Sequence, residues 1–148
     1  MEIENAGPPL SVDRLALVES QVGVEFPQDY KEFLLRHNGG EPTPSYMAMP
    51  AWTGKSTDVN TFFGIDCQED YNDLLKAVEL MREGYPEDAV LPVAYDSSGN
   101  IFCIIGDRRS RGSIVMYEIG GAHHEGYNPI AVADSFTAFL GMLRDDHS

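Results

Sequence analysis

Apolar residues change their spacing along this chain, and the change limits the fold more than any other feature. Near the start, Val12, Leu15, Val18 and Val22 recur at helical intervals. Ser11 precedes them as a candidate N-cap, and Gly23 follows as a permissive stop. The run "FPQDYKEFLLRHNGGEP", Phe26 to Pro42, predicts a second helix. Pro27 suits its first position, Asp29 suits the positive end of the dipole, and Tyr30, Phe33, Leu34 and His37 share one face. Gly39 and Gly40 are expected to end it, with Asn38 tolerating a left-handed turn. From Val90 the spacing becomes that of strands: "VLPVAY", the turn "DSSGN", then "IFCIIG" and, after "DRRSR", "SIVMYEI".

The middle of the chain is mixed. Residues Glu41 to Asn60 read as irregular, and "VNTFFGI", Val59 to Ile65, as a strand in which Gly64 marks a bulge or a close backbone approach. Asp70 to Arg82 predicts a third helix that buries Tyr71, Leu74, Leu75, Val78 and Met81, stopped by Gly84 and Pro86. After the strands, "PIAVA" leads to a last helix capped near Asp134, with Phe136, Phe139, Leu140 and Leu143 on one side. Helices, then strands, then a helix predict an α+β layered fold. With 148 residues, one domain is expected over residues 11–148, after a tail at 1–10.

Charge separates the chain from several functional classes. Twenty-four Asp and Glu against ten Lys and Arg give a formal net charge of −14. Such a surface repels phosphate backbones, which argues against direct nucleic-acid binding, and it attracts basic proteins. Acidic surfaces also simply keep proteins apart. Two cysteines, Cys67 and Cys103, form no CxxC pair and point to a reducing compartment. The start "MEIENAGPPL" has neither the basic residues nor the apolar run of a secretory signal, and no stretch suits a membrane span. A cytoplasmic protein is expected.

Motifs that could carry chemistry each have a plainer explanation. "GKST", Gly54 to Thr57, resembles the end of a phosphate loop, but Met49 stands where the first glycine belongs. "HHE", His123 to Glu125, lacks converging ligands; beyond it only His37 and His147 remain. Cys67 and Cys103 read as inert thiols, and "DSSGN" is what a tight turn requires. "RRSR", Arg108 to Arg111, could hold an acidic group, but a loop that keeps a sheet edge soluble explains it. No cofactor, metal or catalytic set is expected.

The informative feature is an acidic band. From Asp66 to Asp88, eight carboxylates (Asp66, Glu69, Asp70, Asp73, Glu79, Glu83, Glu87, Asp88) face only Lys76 and Arg82, a net −6. Carboxylates in a first turn are stabilised by the helix dipole, which accounts for Asp70 and Asp73. It does not account for those that continue toward the helix end.

Four pieces, in order, resemble the SUKH superfamily in its Smi/Knr-like branch: "LALVESQVGVEFPQDYKEFLLRHNGGEP", "FFG", "LPVAYDSSGNIFCIIG" and "IAVADSFTAFLGML". The resemblance runs from about Leu15 to Leu143, and its first piece is the specific one. It implies helices packed on a mainly antiparallel, partly mixed sheet. It implies an architectural role for Pro27, Tyr30, Phe33, Gly39, Gly40, Gly64, Gly99 and Asn100. Bacterial relatives are similar to immunity proteins that neutralise toxins, often nucleases, and fungal relatives regulate cell-wall synthesis through protein partners. The first expectation is therefore a non-enzymatic immunity protein that meets a basic nuclease through Asp66, Glu69, Asp70 and Asp73. Anchors would come from Tyr46 or Trp52, although Trp52 could equally cap the core. A regulatory scaffold and a small hydrolase are the alternatives.

Overall fold

A computed structural model of the chain describes residues 1–106 and 112–145; "RRSR" and His147 lie outside them. Among the described residues, four helices and a five-stranded sheet enclose most of the core. Helix α1, Val12–Val22, begins as expected: the Ser11 hydroxyl accepts from the Arg14 N–H, and Gly23 ends the helix at φ 76°. Leu15, Val18 and Val22 face inward, whereas Val12 is exposed. Helix α2, Gln28–Arg36, buries Tyr30, Phe33 and Leu34. It stops earlier than the glycines suggest. His37 is already extended, Asn38 is not left-handed, and Gly39 and Gly40 instead carry the chain through two positive-φ positions.

Residues 1–10 include a paired strand. Strand β1, Glu2–Glu4, pairs antiparallel with β2, Glu41–Thr43, and Ile3 packs against the core. The stretch read as irregular is ordered as well. Strands β3, Tyr46–Met49, and β4, Lys55–Asp58, form an antiparallel hairpin whose inner residues Met47 and Met49 are buried. Strands this short, divided by prolines and glycines, give too few alternations to register as a pattern.

The main sheet runs in chain order, β5-β6-β7-β8-β9, each neighbour antiparallel. Its strands are β5, Thr61–Phe62, β6, Val90–Tyr95, β7, Ile101–Ile105, β8, Ile114–Tyr117, and β9, Ile130–Ala133. The expected strand Val59 to Ile65 shrinks to the two residues of β5, followed by an isolated parallel bridge from Gly64 to Asp73. The β6–β7 turn is built by Asp96. Its buried carboxylate accepts from the N–H groups of Ser98 and Asn100, the Asn100 amide and the Thr57 hydroxyl, all within 3.0 Å.

Helix α3, Leu74–Gly84, packs on β6, and helix α4, Phe136–Gly141, capped by the Ser135 hydroxyl, closes the other end. Among the described residues, four helices against antiparallel sheets make an α+β fold. Aromatic rings join the layers: Tyr30 and Phe136 lie 5.0 Å apart, and Phe33 and Phe62 lie 4.7 Å apart. Among the described residues, no helix is long and apolar enough to cross a membrane.

Candidate functional site

The predicted acidic residues meet on one loop between β5 and α3. Its root is held by Asn38, which is buried. The Asn38 amide donates to the carbonyls of Pro8 and Ile65, and its oxygen accepts from the Ile65 N–H, at 2.7 to 2.8 Å. Only glycine fits opposite at position 64, since a Cβ there would lie 2.4 Å from the Asn38 carbonyl oxygen. The loop ends are then tied together: Gly64 N–H donates to Asn72 O at 2.9 Å, and Leu74 N–H donates to Gly64 O at 2.7 Å.

Within that loop the four carboxylates do different things. Asp66, at φ 62°, takes a two-pronged bond from Arg14, Nε to Oδ2 at 2.9 Å and Nη2 to Oδ1 at 2.8 Å. The guanidinium holds the Asp66 carboxyl below its ordinary range, because it hydrogen-bonds the charged form. Asp73 turns back into the loop and accepts from the Cys67 N–H at 3.1 Å. Glu69 and Asp70 are exposed, with no side-chain partner among the described residues. The outward charge of the loop is theirs.

The third helix starts later than its pattern suggests. Asp70–Asn72 forms a separate 3-10 turn, and α3 begins at Leu74 with no acid in its first turn. The α3 dipole therefore does not explain Asp70. The displaced turn also moves Tyr71 off the buried face. It is 66% exposed, against the expectation that it joins the core. The run Asp70, Asn72 and Asp73 was the available signal, because such side chains bind nearby backbone in turns and compete with a helix.

Farther along the band, Glu79 lies 3.5 Å from Lys76 and Asp88 accepts from the Tyr117 hydroxyl at 2.7 Å. Arg82 donates to the Val22 carbonyl at the end of α1. Glu83 and Glu87 stay exposed and unpaired among the described residues. Half of the eight carboxylates, Glu69, Asp70, Glu83 and Glu87, thus face solvent with no side-chain partner among the described residues.

Tyr46 and Trp52 lie on the β3–β4 hairpin, not on the acidic loop. The Arg144 guanidinium sits 5.4 Å from the Tyr46 ring centre, and the two residues exchange backbone hydrogen bonds. Trp52 is half-buried against the core, and its indole N–H donates to Glu118 at 3.3 Å. The ring covers Gly54 so closely that a Cβ there would lie 2.3 Å away.

Reactive chemistry has little to work with. Burial pushes both thiols up, Cys103 furthest, which is opposite to what an activated nucleophile needs. No group of three or more His, Cys, Asp or Glu among the described residues could hold a metal. Lys55 to Thr57 of "GKST" belong to β4, and His123 ends a short 3-10 turn.

The chain is similar to proteins of Bacillus subtilis (strain 168). The SPbeta prophage-derived uncharacterized protein YokK is 27% identical over 154 aligned positions, covering 90% of this chain and 74% of YokK. The uncharacterized protein YnaB is 54% identical over 33 residues, 22% of this chain and 23% of YnaB. With its model matching residues 9–142, the chain belongs to the SMI1 / KNR4 family (SUKH-1), which includes toxin-binding immunity proteins and is in general non-enzymatic.

Proposed function

We propose that the chain is an immunity protein acting in the cytoplasm, which binds and neutralises a toxin, and that the toxin is a basic nuclease. The observation that carries this reading is the pair of exposed carboxylates, Glu69 and Asp70, without a side-chain partner among the described residues, on a loop pinned at both ends. Glu83 and Glu87 extend the same charge along α3 and beyond it. A nuclease needs a positive cleft to hold its phosphate backbone. A rigid acidic protein can occupy such a cleft in place of substrate. Steering between opposite charges can raise association to about 10⁸ M⁻¹s⁻¹ or more, which matters when a toxin must be caught before it acts. In this reading Asp66 and Asp73 hold the loop in shape, and Glu69 and Asp70 meet the partner.

The test is co-purification with the protein encoded immediately upstream, together with co-expression. The neighbour is expected to be toxic alone, to form a complex with this chain, and to lose toxicity in its presence. A neighbour with no toxin domain that neither binds nor harms the cell would contradict the proposal.

A further inference from the structure

Beside the acidic loop lies an open apolar groove of about 480 Å³ between α3 and the turn end of β6 and β7. Phe63, Ala77, Tyr95 and Ile101 line it, with Tyr71 and Leu80 at its sides. Tyr71 is 66% and Leu80 55% exposed, although the remaining apolar positions of α3 are buried or half-buried. The patch continues past Gly99, which also lines the groove. A Cβ on Gly99 would lie 3.1 Å from the Ile119 side chain, and Ile119 is 72% exposed. Single exposed apolar residues need no explanation, but two lining one concavity, with a third beside its Gly99 end, do.

The groove is pre-formed. The Tyr95 hydroxyl donates to the Asn72 amide oxygen at 2.7 Å, fixing the 3-10 turn that carries Tyr71. The Phe63 and Tyr95 rings sit 5.5 Å apart in its wall. Little side-chain order has to be gained on binding, which favours affinity.

Charge selects the occupant. Asp70 lines the groove, and Glu83, three helical positions after Leu80, continues the carboxylate charge along the same face of α3. Lys76, the one cation lining it among the described residues, is already beside Glu79. A second copy of the chain would bring two surfaces of net charge −14 together. Nucleic acid is repelled for the same reason. A basic protein is not.

We infer that this groove receives an apolar side chain carried between lysines or arginines on a basic protein partner. Apolar contact in the groove sets the affinity, and the flanking carboxylates set the rate of encounter. The identity of that partner as a toxin rests on the function proposed above; the groove's chemistry does not.

Two probes separate the claims. The first is the upstream-encoded protein, titrated against the parent chain, Tyr71→Ser and Leu80→Gln over a range of salt. The second is the synthetic peptide acetyl-Lys-Lys-Phe-Lys-Lys-amide, with a glutamate-for-lysine control, followed by the methyl resonances of Ala77 and Leu80. Each substitution is expected to weaken the neighbour's binding by about tenfold or more while leaving the salt slope and the melting temperature unchanged. The basic peptide is expected to shift both methyl signals, and the acidic control is not. Binding of the neighbour at parental affinity by both variants overturns the groove and leaves the immunity reading intact. A neighbour that does not bind, with a basic peptide that does, sustains the groove and removes the immunity reading. A self-associating chain whose dimer is lost in Leu80→Gln gives the groove to a second copy and overturns the inference. A peptide that moves neither signal overturns it as well.

Discussion

At the scale of single residues, the fold depends on a few side chains whose polar atoms are either fully matched or not matched at all. Asp96 is matched. Its buried carboxylate collects four hydrogen bonds that form the β6–β7 turn and, through Thr57, join it to β4. Asp96→Ala leaves those donors without their acceptor, so urea denaturation is expected to show a loss of about 3 kcal/mol. Tyr30 is the opposite case. It is fully buried, and its hydroxyl has no hydrogen-bond partner among the described residues. Tyr30→Phe should therefore fold with equal stability or gain up to about 1 kcal/mol. Burial also pushes the Tyr30 phenol upward, so the folded chain keeps a proton that the unfolded chain releases. Its contribution is complete below about pH 10 and is lost as the pH rises above that value. Replacing Tyr30 by Phe should make the alkaline fall in stability shallower by up to about 1.4 kcal/mol per pH unit, read from denaturation curves between pH 9 and about 11.

Elements whose ends are marked locally were legible in the sequence, and elements defined by distant partners were not. Ser11 and Gly23 bracket α1 because both caps act within one turn of the helix. The strands β6, β7 and β8 are long enough for their apolar runs to show. The β3–β4 hairpin escaped because each strand has four residues and the turn holds the proline and glycine that signal a loop. The start of α3 escaped because Tyr71, Leu74, Leu75, Val78 and Met81 fit a helical period even though Asp70–Asn72 forms its own turn. The acidic band could be counted from the sequence. Which of its charges stay free could not, since Arg14 lies 52 positions from Asp66 and Tyr117 lies 29 from Asp88. The loop between β5 and α3 gives its own prediction. Gly64→Ala would press a methyl group into the Asn38 carbonyl, so the loop must shift. A loss of more than about 2 kcal/mol is expected, with slower partner binding from the displaced Glu69 and Asp70.

For the whole molecule, net charge and local shape have separate effects. A charge of −14 draws basic partners from any direction. The loop pinned by Asn38 and Gly64 gives that attraction a place to act, and the groove beside it supplies apolar surface. Charges used to build the loop are poor choices for testing the surface. Asp73 holds the Cys67 N–H, and Asp66 holds Arg14, so reversing either disturbs the loop itself. Glu69 and Asp70 can be reversed without breaking a side-chain contact among the described residues. The most direct measurement is therefore the association rate of the chain with the upstream-encoded protein, from low to high salt, for the parent and for Glu69→Lys/Asp70→Lys. An association rate lowered about tenfold or more at low salt, a flatter salt dependence and an unchanged melting curve are predicted. Equal rates and equal salt slopes for the two proteins would contradict an acidic docking face.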